Sequence, residues 1–391
     1  MPRAVLFVVF LAIATTVVVG WHYYLWARLV RDVQPADRWR KAGKILFVVL
    51  AVAFPAAMIA GRSLPIEALR PAYLVGFGWL GTSFMLVMML LVTDLGKLGV
   101  WGVRRVAGSH PVSPERRLTL ARLIAGAVAF TGFTSTATGA VSALGAIPVE
   151  RVRIPLRRLS AKMSGIRVVQ LTDLHIGPTL KRPWVEGVVA QVQAIQPDVI
   201  VITGDLVDGS VEALREHVAP LGKLKAKHGV YFVTGNHEYY SGADAWIAEV
   251  ERLGIRVLRN EHVPIGEGDD AFFLAGVDDW EAARHGIGHG HDVAAAVRGV
   301  DPGREVVLLA HQPRSIRDAV RHGVGLQLSG HTHGGQIYPW YHFVFLQQPY
   351  VSGLHQVEDT LLYVSRGTGF WGPPLRVGAP PEISLIELVR A

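Results

Sequence analysis

Four long apolar runs occupy the first 150 residues, and they restrict the possible folds more than any other feature of the sequence. They extend over Ala4 to Trp26, Ile45 to Gly61, Ala72 to Thr93 and Leu123 to Ile147. A helix that crosses a bilayer needs about 20 apolar residues, within a range of roughly 17–25. One buried core helix would explain one such run, but not four in succession. We therefore expect residues 1–150 to form a membrane domain with four transmembrane helices.

Basic residues are concentrated around these runs. Residues 1–150 contain 15 Lys and Arg against 6 Asp and Glu, whereas residues 151–391 contain 24 against 26. A basic excess that flanks apolar segments is typical of membrane proteins, so the net charge of +7 does not indicate a nucleic-acid partner. The sequence contains no cysteine, which excludes disulfides, thiolate metal sites and cysteine nucleophiles.

Two connections between the runs are rich in Lys and Arg. Residues 22–44 and residues 94–122 carry six each, and the other connections carry few. Because such loops stay in the cytoplasm, we expect a multi-pass protein of the cell membrane whose residues after the fourth span lie outside the cytoplasm. The basic segment RVRIPLRRLSAKMSG, residues 151–165, argues against this orientation. We interpret it as a juxtamembrane linker that is attracted to anionic lipid headgroups.

Short β-branched runs alternate with helical patterns in the rest of the chain, residues 166–391. Each run ends at a polar tip: IRVVQL precedes TDLHIG, DVIVIT precedes GDLVDG, GVYFVT precedes GNHEYY, EVVLLA precedes HQPRSI, and GLQLS precedes GHTHGG. This alternation predicts strands separated by crossover helices, and thus an α/β domain. Because ligands bind beyond the carboxyl ends of the strands in such sheets, we expect the tips to meet at one site.

Eight side chains in these tips can bind metals or move protons: Asp173, His175, Asp205, Asn236, His237, His311, His331 and His333. Aspartate oxygens and histidine nitrogens without sulfur are ligands of divalent ions such as Mn, Zn or Fe. Eight side chains are too many for one ion of about four to six ligands. We therefore expect a pair of ions bridged by Asp205, which can clamp the attacking and leaving oxygens of a phosphoryl displacement.

Neighbouring tip residues are expected to point in different directions. His331 and His333 leave the same strand end, so that each can serve a different ion. Asn236 and His237 are adjacent, and adjacent residues in an extended chain point to opposite sides. We therefore expect Asn236 to face an ion and His237 to face the scissile phosphate across the cleft.

The ordered series D-x-H, G-D, G-N-H-E, H and G-H-T-H resembles the calcineurin-like metallophosphoesterases over roughly residues 165–390. The later segments LQQPYVSGLH and VSRGTGFWGPP resemble the membrane-anchored bacterial branch, some of whose members hydrolyse nucleotide-sugar lipid precursors. The resemblance implies two packed mixed β-sheets flanked by helices. This fold agrees with the alternation of strands and helices.

The resemblance also implies roles for the tip residues. The first ion would be held by Asp173, His175, Asp205 and His333. The second ion would be held by Asp205, Asn236, His311 and His331. His237 would face the phosphate and not a metal. Glu238, which stands where many members have aspartate, would orient His237.

The expected reaction is hydrolysis of a phosphomonoester, phosphodiester or pyrophosphate by a metal-bound hydroxide. Because the domain adjoins a membrane, the favoured substrate is a phosphorylated small molecule that is lipid-linked or derived from the cell envelope. A catalytically degenerate receptor or scaffold would have lost metal ligands, and none of the expected positions is lost. A nuclease of the same fold is disfavoured by the acidic balance of residues 151–391.

Other polar or aromatic positions leave two interpretations open. Residues 281–292, EAARHGIGHGHD, contain three histidines and form either a solvated loop or a lining of the substrate mouth. Residues 278–280 either lie near the pocket or form a turn. Arg366 either contacts a phosphate or forms a structural salt bridge. Phe370 and Trp371 either form an apolar lip or belong to the core.

Overall fold

The computed structural model describes residues 3–60, 66–108 and 112–391. The chain divides into two compact units. The first comprises Met1–Val141 and Gly372–Leu375, and the second comprises Ser142–Trp371 and Arg376–Ala391. Ala143, near the end of the fourth long helix, belongs to the second unit and packs there with Leu180 and Phe370.

Long helices that coincide with the apolar runs build the first unit. These helices are α1 Arg3–Trp26, α2 Asp37–Ala60, α3 Ile66–Val106 and α4 Pro114–Leu144. They pack around a small buried cluster that consists of Leu25, Phe47, Leu86, Val87, Leu90 and Val128. Many other apolar side chains, such as Val48 and Phe130, are exposed on the helix surfaces. Helices with apolar surfaces on several sides suit a lipid environment.

Two helices in the described residues are long and apolar enough to cross a membrane, namely Arg70–Val106 and Pro114–Leu144. The structure therefore supports two spans, whereas the sequence predicted four. In α2, the side chains of residues 54 and 57–60 lie outside the described part of the chain. In α1, the side chains of residues 3–8, 10 and 11 lie outside the described part of the chain.

Two mixed sheets form the framework of the second unit. Their strands are β1 Val149–Leu156, β2 Ile166–Leu171, β3 Val199–Thr203, β4 Val230–Val233, β5 Arg256–Val257, β6 Glu261–Ile265, β7 Phe272–Gly276, β8 Val306–Leu309, β9 Leu326–Ser329, β10 Gly353–Val357, β11 Thr360–Val364 and β12 Ile383–Arg390. The strand orders are β1-β12-β2-β3-β4-β5 and β10-β11-β9-β8-β7-β6. Strands β2 to β5 are parallel, as are β7, β8, β9 and β11.

Alternate side chains of each strand face two different apolar layers. Val201 in β3 and Leu309 in β8 meet in the layer between the two sheets. Their neighbours Ile200 and Leu308 face the helices on the outer sides. Because successive residues of a strand point to opposite faces, both faces of the central strands are buried, which explains their continuous apolar sequence.

The second unit also contains shorter helices, most of which cover the outer faces of the sheets. The helices are α5 Arg182–Ile195, α6 Val211–Val218, α7 Asn236–Ser241, α8 Ala243–Arg252, α9 Val293–Ala296, α10 Ile316–Arg321 and α11 Tyr341–Val344. α5, α6 and α8 pack on the first sheet, and α9 and α10 pack on the second. The predicted fold of two packed mixed sheets flanked by helices is therefore confirmed.

The segment expected to be a basic linker, residues 151–165, is part of the fold. Most of β1 lies in it, and β1 pairs in parallel with the carboxyl-terminal strand β12. Ile154 and Leu156 are buried, whereas Arg151 and Arg153 point outward. The prediction of a linker was wrong. The segment alternates apolar and polar residues, which is a strand signal, and its arginines occupy the outward positions of that alternation.

Candidate metal centre

The parallel strands of the two sheets lead into the polar tips. Asp173 follows β2, and Asp205 follows β3. Asn236 begins α7, directly after β4. In the second sheet, His311 follows β8 and His331 follows β9. The two packed sheets thereby deliver these side chains to one region from several distant parts of the sequence.

Asp173, His175 and His333 form one group of potential ligand atoms. The Nε2 atoms of His175 and His333 lie 3.0 Å apart, and Nε2 of His333 lies 3.4 Å from Oδ1 of Asp173. All three side chains are buried, and their ligand atoms lie within 4.8 Å of one another. Two imidazole nitrogens and a carboxylate directed at one point fit a divalent ion such as Mn, Zn or Fe.

Asp205, His311 and His331 form a second group. Oδ2 of Asp205 lies 3.1 Å from Nε2 of His311, and Nδ1 of His331 lies 3.2 Å from the same nitrogen. The side-chain oxygen of Asn236 lies 3.2 Å from it as well. His331 and His333 therefore lie in different groups, although only Thr332 separates them in the chain.

Asp205 lies between the two groups. Its Oδ2 is 3.1 Å from Nε2 of His311 and 3.9 Å from Nε2 of His175. Its Oδ1 accepts a hydrogen bond from the backbone N–H of His237 at 2.9 Å. One buried carboxylate therefore reaches histidines of both groups.

An unusual backbone conformation turns the tip residues into the centre. The φ angle is +53° at Asp173, +47° at His175, +52° at Asp205, +70° at His331 and +52° at His333. A residue other than glycine in this left-handed region costs about 1–3 kcal/mol, and it persists only where the surrounding structure enforces it. Nothing in the local sequence predicts this strain.

Two glycines allow the tips to approach one another. A Cβ atom at Gly330 would collide with the side chains of Thr172 and Asp173, and a Cβ atom at Gly235 would collide with Asp205. The glycines of the G-N-H-E and G-H-T-H blocks are thus required because side chains of neighbouring tips fill the space beside them.

His237 is oriented by Asp208, a residue that the sequence analysis missed. Nδ1 of His237 lies 2.6 Å from Oδ1 of Asp208, and the same oxygen lies 3.2 Å from Nδ1 of His175. The motif GDLVDG contains the signal, because Asp208 follows Asp205 on the same strand tip. Asn236 and His237 were expected to point in different directions because adjacent residues of an extended chain do so. They lie instead in the first turn of helix α7, where the helical backbone separates the directions of the two side chains.

Glu238 has a different role from the expected one. Its buried carboxylate accepts hydrogen bonds from the backbone N–H groups of Asp205 at 3.0 Å, Leu206 at 2.8 Å and Gly235 at 2.6 Å. Glu238 is in the first turn of α7, where an acidic side chain can turn back to the start of the helix. It therefore fixes the tips that carry Asp205 and Asn236, and Asp208 is the carboxylate that contacts the ring of His237.

The calcineurin-like phosphoesterase family matches residues 166–335, which include every predicted metal ligand. The chain is 40% identical over 333 residues to the "Transmembrane protein with metallophosphoesterase domain" of Bos taurus. The aligned region covers 81% of this chain and 74% of the relative. The protein of the same description from Danio rerio is 36% identical over 406 residues, with 100% and 91% covered. An uncharacterized metallophosphoesterase of Helicobacter pylori is 39% identical over 226 residues, with 57% and 60% covered.

The chain belongs to the calcineurin-like metallophosphoesterase family. It is therefore a metal-binding hydrolase that acts on phosphoesters, and its apolar helices agree with the transmembrane description of its animal relatives. Because the relatives come from animals as well as bacteria, the predicted membership of a bacterial branch is not confirmed.

Charges in the metallophosphoesterase centre separate the protonation states of its histidines. Burial by itself would lower the pKa of His237, but the charges of Asp205 and Asp208 raise it to about 9. Burial, followed by the positive charge of His311, lowers the pKa of His331 to about 3. At neutral pH His237 therefore carries a proton that it can donate.

A buried cation, Arg376, lies behind His333 and was also missed. It donates hydrogen bonds of 2.7 Å to the backbone oxygens of His333 and Arg366, and burial lowers the pKa of its guanidinium to about 9. Arg376 comes close to the G-H-T-H turn only in three dimensions. Arg366 itself lies 2.7 Å from Glu382 and 3.1 Å from Glu150, so it forms structural salt bridges.

The histidines of residues 281–292 do not join a potential metal group within residues 112–391, all of which are described. Nδ1 of His289 lies 3.2 Å from the hydroxyl of Tyr239, and its Nε2 lies 3.0 Å from Asp244. The ring of His285 also packs on Tyr239, with centroids 5.3 Å apart. The third histidine, His291, packs on Trp280. These contacts attach the segment to the domain surface.

Proposed function

We propose that this metallophosphoesterase uses two divalent ions, Mn, Zn or Fe, to hydrolyse a phosphoester or pyrophosphate in a lipid-linked or envelope-derived substrate. The observation that carries the proposal is the position of Asp205. Its Oδ2 lies 3.1 Å from Nε2 of His311 in one group and 3.9 Å from Nε2 of His175 in the other. A carboxylate that reaches two groups of buried ligand atoms suits a bridge between two ions.

Each group would hold one ion. The residues of the first ion are Asp173, His175, Asp205 and His333, and those of the second are Asp205, Asn236, His311 and His331. When bound, the ions would stabilise charge on the phosphoryl oxygens and activate the attacking water. Glu238 keeps the tips of Asp205 and Asn236 in place through its hydrogen bonds to the backbone.

His237 supplies a proton to the leaving oxygen in this proposal. Its Nδ1 is 2.6 Å from Oδ1 of Asp208, which orients the ring and leaves Nε2 for the substrate. The ring makes edge contacts with Tyr240 and Trp371, at centroid distances of 5.2 Å and 5.6 Å. Asp208 is thus a positioning residue, and His237 is the group that would touch the substrate.

Hydrolysis by the purified full-length protein tests the proposal. Metal content is measured by mass spectrometry, and turnover is measured with nitrophenyl and alkyl phosphodiesters. His237→Ala is expected to retain both ions and to lose about 10²–10⁴-fold in turnover of the alkyl ester. The loss should be smaller for the nitrophenyl ester, because nitrophenolate departs with little help from a proton donor.

The matched variant is His331→Ala, which should lose metal together with activity. Loss of metal in His237→Ala would make that residue a ligand or a folding residue. An equal loss with both esters would show that it acts by electrostatics or positioning and not as an acid. Wild-type protein that holds metal but hydrolyses neither ester would overturn the proposed function.

We also propose that the second unit lies outside the cytoplasm. The Lys and Arg residues in segments 22–44 and 94–122 support this orientation, because such loops are retained on the cytoplasmic side. A reporter enzyme that is active only outside the cytoplasm, fused after Ala391, should be active. A silent reporter, with a cytosolic reporter active at the same position, would reverse the orientation.

A further inference from the structure

A cluster of exposed apolar side chains follows the G-H-T-H turn closely. We call residues 338–346, YPWYHFVFL, the aromatic segment; it contains α11. The exposed fractions are 59% for Tyr338, 51% for Trp340, 50% for Phe345 and 83% for Leu346. Single exposed apolar residues are common on soluble proteins, but a contiguous set of this kind marks an interaction surface.

The chemistry of the aromatic segment favours a lipid interface as its partner. No Asp, Glu, Lys or Arg occurs from His322 to Val357. A charged macromolecular partner would therefore find no complementary charge along this stretch. Tyr and Trp have an apolar body and a polar end, and they are enriched where the hydrocarbon of a membrane meets its headgroups.

The aromatic segment is connected to the mouth of the metal centre. The Gln336 side chain donates to the backbone oxygen of Trp371 at 2.9 Å and accepts from its N–H at 3.0 Å. Trp371 is 55% exposed, and its ring lies 5.6 Å from that of His237. Trp371 is thus an exposed lip, whereas its neighbour Phe370 is part of the core. Exposed apolar surface therefore leads to the residue that faces the substrate.

The chain itself contains helices that can cross a bilayer, namely Arg70–Val106 and Pro114–Leu144. A lipid bilayer is therefore a partner that this protein encounters.

We propose that the aromatic segment and Trp371 insert into the headgroup region of the bilayer, so that the metal centre receives a phosphate carried by a membrane lipid. The catalytic part of this statement rests on the proposed function, whereas the insertion does not. The occupant of this surface is the lipid bilayer, and neither a second copy of the chain nor a soluble protein is required to cover it. Amphipathic segments of this kind lie about 5–10 Å deep at the boundary of headgroups and acyl chains.

The lack of cysteine allows a direct test of the insertion. Leu346→Cys in the full-length chain is labelled with a fluorophore and placed in phosphatidylcholine nanodiscs that hold one chain each. Asp359→Cys is the matched control. Asp359 is exposed, and it lies at the end of β11 that is opposite to the metal centre. Nitroxide attached to the lipid should quench the label at position 346 strongly, at a depth of about 5–10 Å, and leave the label at 359 unquenched.

Two results would overturn the insertion. One is equal quenching of both labels by the lipid nitroxide. The other is quenching at position 346 only by a water-soluble nitroxide, which would leave the surface to water or to a soluble partner. Because the nanodisc holds a single chain, protection by a second copy is excluded. The quenching measurement does not depend on hydrolysis. A negative result would therefore overturn the insertion without affecting the proposed function.

A second measurement links the insertion to catalysis. The double variant Phe345→Ser, Leu346→Ser is compared with Asp359→Ser on a phospholipid in nanodiscs and on a soluble nitrophenyl ester. The ratio of bilayer to soluble turnover should fall at least about tenfold in the double variant, since two large apolar side chains no longer enter the lipid. An unchanged ratio overturns the link between the aromatic segment and a lipid substrate, even if the soluble ester is hydrolysed normally.

Discussion

The two units of this protein arrange apolar and polar residues in opposite ways. In the helical unit, apolar side chains such as Val48 and Phe130 are exposed, and the buried cluster is small. In the α/β unit, the apolar side chains fill the layers on both faces of the sheets. Buried polar side chains are gathered at the strand ends, where the potential metal ligands lie.

The difference shows that hydrophobicity carries different information in the two units. In the helical unit, a long apolar run indicates that the helix is surrounded by lipid, because a helix with apolar surfaces needs an apolar environment. In the α/β unit, short apolar runs indicate strands of the buried core, and the ends of these runs indicate where the functional site lies. The same composition therefore has to be interpreted separately for each unit.

The largest effect should come from Asp205, the carboxylate that we propose as a bridge between two ions. Asp205→Asn should weaken both ions together and lower turnover about 10⁴-fold, since each ion is worth several kcal/mol and 1.36 kcal/mol is a factor of ten. His175→Ala, the comparison variant, should weaken mainly one ion. Metal content and turnover of the purified variants check this. Asp205→Asn protein with two tightly held ions and full turnover would refute the site assignment.

Two phenylalanines test the contrast between the units directly. Phe232 is fully buried in β4, whereas Phe130 is 75% exposed in α4. Phe232→Ala should destabilise the protein by about 3–5 kcal/mol, because it leaves a cavity in a packed core. Phe130→Ala should change stability by no more than about 0.5 kcal/mol. Thermal unfolding in detergent measures both.

A charged residue at the same helical position sharpens this contrast. Phe130→Lys should cost about 3 kcal/mol of membrane insertion if this face of α4 lies in lipid. The fraction of the variant recovered in cell membranes is the measurement. Normal recovery would mean that this face does not contact lipid, and the contrast between the two units would then fail.

A smaller effect is expected at Asp208, whose carboxylate contacts both His175 and His237. Asp208→Asn should lower metal affinity or turnover by about 10–100-fold, as is typical for partners of metal-bound histidines. The carboxylate of Asp208 lies 3.2 Å from Nδ1 of His175 and 2.6 Å from Nδ1 of His237. Metal titration measures the effect through His175 on metal affinity, and turnover at saturating metal measures the effect through His237. A variant with normal metal affinity and normal turnover would contradict the positioning role.

The smallest effect should come from a polar contact between the membrane helices. The hydroxyls of Thr82 in α3 and Thr136 in α4 lie 3.0 Å apart. Thr82→Val should cost about 0.6 kcal/mol, the average for such contacts in membrane proteins. Thr138→Val is the control, since the Thr138 hydroxyl bonds to the backbone of its own helix. A loss of several kcal/mol at Thr82 alone would show that polar contacts dominate the helical unit.

The sequence by itself determined the α/β class and the strand ends, and it supplied the seven residues that we propose as metal ligands. These features are local, because an apolar run of a given length and the polar residue that ends it can both be seen within ten residues. Of the four predicted membrane spans, the described part of the chain supports the two in α3 and α4.

Only the tertiary structure decided which residues support the proposed metal ligands. β1 was mistaken for a linker because its partner β12 lies at the other end of the chain. Asp208, and not Glu238, orients His237 because the turn after β3 and the first turn of α7 meet in space, with left-handed backbone at Asp205 directing its side chain inward. Side-chain direction at a strand end depends on such long-range contacts, and the order of residues in the chain does not encode it locally.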